Sequence, residues 1–446
     1  MPRRLATAAI VSMTALGPLG ASAKAQARWT RVQEEAVGLL REYVRVDTSN
    51  PPGTTTAAAD LLQRILEREG IAATRYESSP GKTILLARLS GTGPGKPILL
   101  LHHMDVVPVD RARWPRDPFG AEVVDGELWG RGAIDMKGLG VMHLLAFLEL
   151  KRQAVPLARD VILMAVPDEE IGGAGGARWM LDHHASQLDV DYVLDEGGFG
   201  SRDLFADGRL VFGISVAEKR MVWLRIRAEG VAGHGSQPHD QNPNDRLTKA
   251  LARLLAEPLP TSGVEVLEVM RGRIGAFAAN KFTNAIAHST IALTTLRSGV
   301  GDPPKVNVIP SVAEATLDCR VLPGTTTAEW LDEIRRRLGD PALVLEVVYE
   351  SDDPRVSSWD TPLYRALDAA IARHHPGAVV SPILIPYGTD SNAFRPRGAQ
   401  SYGVAPVVLS VALVASMHGD AERVPVAGLG TGARIFFEAL KETAGR

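Results

Sequence analysis

Three short apolar runs in this chain each end on acids or an imidazole. Ile98 to Leu101 leads into His103-Met104-Asp105, Val161 to Val166 into Pro167-Asp168-Glu169-Glu170, and Tyr192 to Leu194 into Asp195-Glu196. A short aliphatic run without alternation is the pattern of a strand covered on both faces. Such strands belong to parallel sheets layered with helices, and ligands bind beyond their carboxyl ends. The chain is thus constrained to an α/β fold whose sheet edge collects carboxylates from distant segments.

The flanking segments fit that frame. Helical periodicity runs from Val32 to Val46 and from Ala57 to Gly70, with Asp47-Thr48-Ser49-Asn50-Pro51-Pro52-Gly53 as the break between them. Strands are expected at Thr83–Ala87 and Pro97–Leu101, and a helix packed on both sides at Leu139–Leu150. Near Met221 the pattern changes, because Val222 to Arg227 alternates apolar and charged residues like a half-exposed strand. A helix at Pro243–Leu255, strands at Thr283–Leu293 and Ala313–Arg320, a helix at Thr326–Leu338 and a strand at Leu343–Tyr349 then give a β-α-β-β-α-β order. Helices at Pro362–His374 and Ala427–Lys441 would return to the first sheet. The expected organisation is a mainly parallel, three-layer α/β domain over residues 29–220 and 351–446, interrupted at 221–350 by a smaller α+β unit.

With 446 residues the chain exceeds what one compact domain usually holds. A net charge of −3 gives no bulk attraction for nucleic acid or an anionic membrane surface. The N-terminus is distinct. Arg3-Arg4, a mildly apolar stretch from Leu5 to Gly20, and small residues around Ala23, Ala25 and Ala27 follow the order of a secretory signal over residues 1–27. An uncleaved anchor or a disordered tail is the competing reading; export to a bacterial periplasm or to the medium is the expectation. Cys319 is the single cysteine, which excludes an intramolecular disulfide framework, and its alternating apolar neighbours mark a buried strand position.

The acids and imidazoles suit a pair of divalent cations. Two cations close together need several anionic ligands. Asp135, in the loop before Leu139, Glu170, and one carboxylate of Asp195-Glu196 supply that charge. His103 and a second histidine, for which His418 is the best candidate, would add neutral imidazole. Asp105, two residues beyond His103, can accept the other ring N–H and fix the tautomer. Glu169 is then free to carry a proton between water and a leaving amine. Taken singly, each feature has a plainer explanation: an acidic turn at Asp168-Glu169-Glu170, a helix cap at Asp135, a hydrogen-bonded structural histidine at His103. The conjunction favours metal-dependent hydrolysis.

Several stretches together resemble the zinc metallopeptidase family that includes aminoacylase, glutamate carboxypeptidase, succinyl-diaminopimelate desuccinylase and acetylornithine deacetylase. These are Asp47–Gly53, His103 to Pro108, Gly130 to Gly138, Asp168-Glu169-Glu170, Gly233-His234-Gly235-Ser236-Gln237-Pro238, Asn307-Val308-Ile309-Pro310 and His418-Gly419. Val193 to Gly198 looks most like the branch of Gly-X carboxypeptidase and N-fatty-acyl-amino-acid hydrolase. The resemblance implies two Zn²⁺ per chain, with Co²⁺ or Mn²⁺ as possible substitutes. It implies His103, Asp135, Glu170 and His418 as ligands, Asp135 bridging, with Glu196 preferred over Asp195 as the fifth. Glu169 matches the general base and Asp105 the orienting acid. The insert matches a lid that often forms a homodimer, with His234 reaching a neighbouring site and Asn307 and Arg320 contacting substrate. Arg395 would clamp a terminal carboxylate. The implied reaction is cleavage of N-acyl amino acids or small peptides with a free carboxylate. A dipeptidase or aminopeptidase of the same family, or a non-catalytic metal-binding relative, is the alternative.

Overall fold

The computed structural model describes residues 18–259, 263–352 and 354–446. Most of the segment expected to direct export, residues 1–17, lies outside the described residues. The fold is the expected mixed α/β architecture with a large, mainly parallel sheet. Its eight strands run in the order Ala73–Glu77, Thr83–Leu89, Arg159–Val166, Gly95–His103, Tyr192–Ser201, Gln400–Val408, Val211–Glu218 and Val379–Ile385. The two N-terminal strands form an antiparallel edge, and the central pairings are parallel.

Side-chain alternation divides the core in two. Ile98 and Leu100 point into one apolar cluster while Leu99 and Leu101 point into the other, and all four are fully buried. Val161, Leu163 and Ala165 join the first cluster; Ile162, Met164 and Val166 join the second. Long helices Pro18–Val44, Lys137–Arg152, Pro362–His374 and Leu429–Ala444 cover the first face. Short helices Ala177–His183 and Ser391–Phe394 cover the second. Residues 137–150 are buried throughout, so the Lys137–Arg152 helix is indeed packed on both sides.

The register decides what meets at the sheet's carboxyl edge. His103 lies beside Val166, and Leu100 beside Leu194. The residues that follow these positions on three neighbouring parallel strands are those with acids and imidazole, so they emerge side by side.

A second, antiparallel sheet carries Thr290–Ser298, Val312–Val321, Arg220–Glu229 and Val344–Glu350 in that order. Helices Pro243–Ala256 and Thr327–Leu338 pack on one of its faces and enclose a separate cluster containing Val222, Leu224, Leu251, Leu317, Trp330 and the buried Cys319. Local signals set the helix ends. Asn242 caps Asn244 with Pro243 in the first turn, and Thr326 and Glu329 form a reciprocal capping box.

One expectation is corrected, and one helix was not expected. Thr283–Leu293 is not one strand: Lys281–Ala287 is helical and the strand begins at Thr290. Asn280 and Thr283 cap each other there, and that local bond prevails over the β-branched and aromatic residues that suggested a strand. Helix Glu265–Ile274 was unforeseen. It falls within 221–350, yet Val266, Leu267, Met270 and Ile274 join the core of the large sheet beside Val379–Ile385.

His143, on the Lys137–Arg152 helix, is fully buried edge-on to Phe436, and burial lowers its imidazole to about 3. A base held neutral in the fold contributes stability that is present above its ordinary value of 6.5 and is lost as pH falls below it. His143→Leu should therefore gain stability relative to wild type as pH drops from 6.5 toward 3, read by urea unfolding across that range. A difference that stays constant with pH contradicts this.

Candidate metal centre

His103 ends its strand with the ring held from behind. Its Nδ1 lies 2.9 Å from the Asp105 backbone carbonyl, which fixes that nitrogen as the donor. The sequence assigned this task to the Asp105 side chain, whose Oδ1 is 3.6 Å away; the carbonyl makes the shorter contact. His103 Nε2 then faces the cluster, 3.1 Å from Asp135 Oδ1 and 3.6 Å from Glu196 Oε1. On the other side His418 Nε2 lies 3.0 Å from Asp135 Oδ2 and 3.2 Å from Glu170 Oε2. The two oxygens of one carboxylate thus each meet a different imidazole, and each imidazole has its own glutamate.

These spacings fit a cation. Bonds of about 2.0–2.1 Å in a tetrahedral shell put neighbouring donor atoms roughly 3.3 Å apart. Donor atoms of His103, Asp135 and Glu170 lie within 4.8 Å of one another, as do those of His103, Glu169 and Glu196. Glu170 Oε1 is buried without a hydrogen-bond partner, an orphan that a cation would satisfy. Burial, then the neighbouring acids, drives the carboxyls of Glu169, Glu196 and Glu170 upward. Asp135 behaves oppositely: burial alone would raise it, but contacts with His103 and His418 hold it low. Contacts with Asp135 and then Glu170 raise His418 to about 10, so a cation entering this cage must displace a proton.

A network not foreseen from sequence braces the centre. Asn50 Nδ2 donates to Asp105 Oδ2 at 2.8 Å and to Asp168 Oδ1 at 2.9 Å, and Lys82 pairs with the same Asp168 oxygen. Thr48 Oγ1 donates to the Met104 carbonyl at 2.7 Å, and the Asn50 N–H to the Val106 carbonyl at 2.9 Å. The Asp47–Gly53 loop therefore ties the turn that holds His103 to the turn that holds Glu169. Asp168 has a left-handed φ of 68°, and a side chain at Gly175 would strike its carboxylate at 2.3 Å. Tyr387 was also unforeseen; its hydroxyl donates to the Gly197 carbonyl at 2.8 Å, next to Glu196.

Other expected site residues lie elsewhere. Asp195 is buried and accepts from the Ser391 N–H at 2.9 Å and Oγ at 2.8 Å, because adjacent strand residues face opposite ways; Glu196 is the one directed at His103. Arg395, expected as a carboxylate clamp, is turned into the protein. It is 3% exposed, ion-paired with buried Glu218 and bonded to Ser357, so its guanidinium is already occupied. Arg320 is forked onto Asp318 at 2.8 and 3.0 Å. Asn307 is exposed, and its carbonyl accepts from the Gly235 N–H at 2.8 Å. His234 is exposed on the short ribbon of Gly233–His234 with Val308–Ile309; its Nδ1 lies 2.7 Å from Ser236 Oγ, apart from the acid cluster.

An open α/β sheet with two imidazoles and four carboxylates at its carboxyl edge defines a metal-dependent hydrolase. The chain belongs to peptidase family M20/M25/M40, whose profile matches residues 99–442. It is 28% identical to aminoacylase-1 of Mus musculus over 382 residues, covering 84% of this chain and 88% of that protein. It is 30% identical to the N-fatty-acyl-amino acid synthase/hydrolase of Homo sapiens over 387 residues, covering 80% and 76%. Among solved structures, the M20 family metallo-carboxypeptidase Sso-CP2 of Sulfolobus solfataricus has the same fold with a TM-score of 0.70 at 19% identity, covering 92% of this chain and 99% of that one. Among the described residues no helix is long and apolar enough to cross a membrane.

Asn50 acts behind the ligands, and loss of such a support typically costs 10–100-fold in metal affinity. Asn50→Ala is expected to weaken zinc binding by about that range while the far-ultraviolet circular dichroism stays unchanged. Chelator competition measures it, and wild-type affinity would show the network to be dispensable.

Proposed function

We propose that this chain is a di-zinc amidohydrolase cleaving N-acyl amino acids, or small peptides with a free C-terminal carboxylate. The observation that carries this reading is Asp135, with one oxygen toward His103 and the other toward His418. A carboxylate so shared is what two adjacent cations require, with Glu196 completing one side and Glu170 the other. The names of the two curated relatives support an acyl-amino-acid substrate.

When bound, the cations supply Lewis-acid polarisation of the scissile carbonyl and acidify the attacking water. The chain supplies the rest. Glu169 sits beside Glu196 with its carboxyl raised by burial and by that neighbour, which suits a group that takes a proton from water and returns it to the departing amine. The water oxygen bonds to the acyl carbon, the C–N bond breaks, and the amine leaves with the proton that Glu169 carried. The Asp105 carbonyl keeps the His103 ring aligned throughout. His234, displayed away from the cluster on its ribbon, suits an oxyanion donor to a neighbouring chain in a homodimer built on the smaller sheet. With Arg395 occupied internally, another group must read the substrate carboxylate. The Arg3-Arg4 and small-residue pattern of the N-terminus supports export.

Glu169→Ala tests the proton-transfer role. Its expected effect on kcat for N-acyl amino acid hydrolysis is a loss of about 10²–10⁴-fold, with bound zinc unchanged. Unchanged turnover, or wild-type protein that neither holds zinc nor hydrolyses any member of a panel of N-acyl amino acids, contradicts the reading.

A further inference from the structure

Glu422 follows His418 by four residues and is fully buried. Its Oε2 accepts from Arg131 Nη1 at 2.7 Å and the Gly132 N–H at 3.0 Å. Its Oε1 accepts from the Ile134 N–H at 2.8 Å and the Asp135 N–H at 3.1 Å. All four donors belong to the turn that presents Asp135. Arg131, 2% exposed, closes the circuit by donating Nη2 to the Gly419 carbonyl at 2.8 Å, one residue after His418. Strand Arg423–Pro425 pairs with Glu127–Trp129, which brings the two loops alongside one another. The Glu422 carboxylate then sets how the tips meet.

The His418 tip needs that support. His418 has a left-handed φ of 59°, a conformation that a non-glycine residue keeps when its surroundings hold it, and its side chain is 54% exposed. The two halves of the cage are therefore anchored unequally. His103 ends a strand of the large sheet, paired beside Val166, and Glu196 directly follows the paired Leu194 and Asp195 on the adjoining strand, so both are placed by the sheet rather than by the loops. His418 and the Asp135 turn meet through the Glu422–Arg131 pair.

We propose that Glu422 is a positioning residue for the second cation place, the one bounded by His418, Glu170 and Asp135, and that the first place, which shares Asp135 but takes His103 and Glu196 from the large sheet, depends on it less. This inference rests on the paired-cation reading given above. Glutamine at 422 would keep the size but turn an amide N–H₂ toward groups that are themselves donors.

The test is zinc titration of metal-free protein against a chromophoric chelator, for wild type, E422Q, H418A and the double variant. Wild type is expected to bind two zinc ions per chain. E422Q should weaken the second constant by about 10–100-fold and the first, which Glu422 reaches only through the shared Asp135, by clearly less. H418A should bind one zinc, and adding E422Q to it should weaken that remaining site no more than E422Q alone weakens the first constant. Equal weakening of both constants in E422Q, or an added loss of about 10–100-fold in the H418A background, overturns the proposal by making Glu422 a general brace. Two unaltered constants in E422Q overturn it as well. A wild-type chain that binds one zinc overturns the paired-cation reading and this inference with it. Arg131→Lys keeps the charge but cannot span both Glu422 and Gly419, so it should also weaken the second place selectively. Circular dichroism of the metal-free variants reports folding; if both E422Q and Arg131→Lys are unfolded, the pair is structural and the proposal fails.

Discussion

The contact between Asp135 and two imidazoles organises this molecule. Oδ1 meets His103 at 3.1 Å and Oδ2 meets His418 at 3.0 Å. For one small carboxylate to do this, a central strand, a mid-chain turn and a loop near the C-terminus must arrive within a few ångströms of each other. The parallel register aligns His103 with the end of the Arg159–Val166 strand. The Arg423–Pro425 pairing carries the C-terminal loop to the Asp135 turn. Glu169, Glu170 and Glu196 then crowd the same space. Burial first, and the neighbouring carboxylates second, push all three carboxyls upward. Such a crowd of buried carboxyls and imidazoles is the donor set that a metal ion needs.

The surrounding structure supplies rigidity in layers. Both faces of the central strands are buried, so the sheet edge cannot shift without disturbing two apolar clusters at once. Behind the ligands sit polar groups that are themselves tied down: the Asp105 carbonyl on His103, Asn50 between Asp105 and Asp168, Lys82 on Asp168. The smaller sheet keeps its own core around Leu224, Leu317 and Trp330, separate from the large one. His234 stands on the ribbon that follows its Arg220–Glu229 strand, outside the acid cluster.

Much of this was legible in the sequence because short-range rules governed it. Apolar runs ending in acids located the strands and their functional edge, and the helix expected at Pro362–His374 has those bounds. The residue types required by a cation picked out His103, Asp135, Glu170 and His418, which the fold brings together. Long-range polar pairing was not legible. Arg395 reads as a free cation in sequence, yet Glu218, 177 residues away, occupies it. Nothing local tells that Asn50 meets Asp105 and Asp168 across 55 and 118 residues. The choice between Asp195 and Glu196 turned on strand phase, which a one-residue shift inverts. Helix Glu265–Ile274 was missed because its modest apolar face finds its partner in the large sheet, far along the chain.

The central claim is that one aspartate is shared by two cations. Anomalous diffraction at the zinc absorption edge, from crystals of the zinc-loaded protein, tests it directly. Two peaks are predicted, one between His103 and Glu196 and the other between His418 and Glu170, with a different Asp135 oxygen bound to each. A single peak, or two peaks that do not share Asp135, would contradict the account.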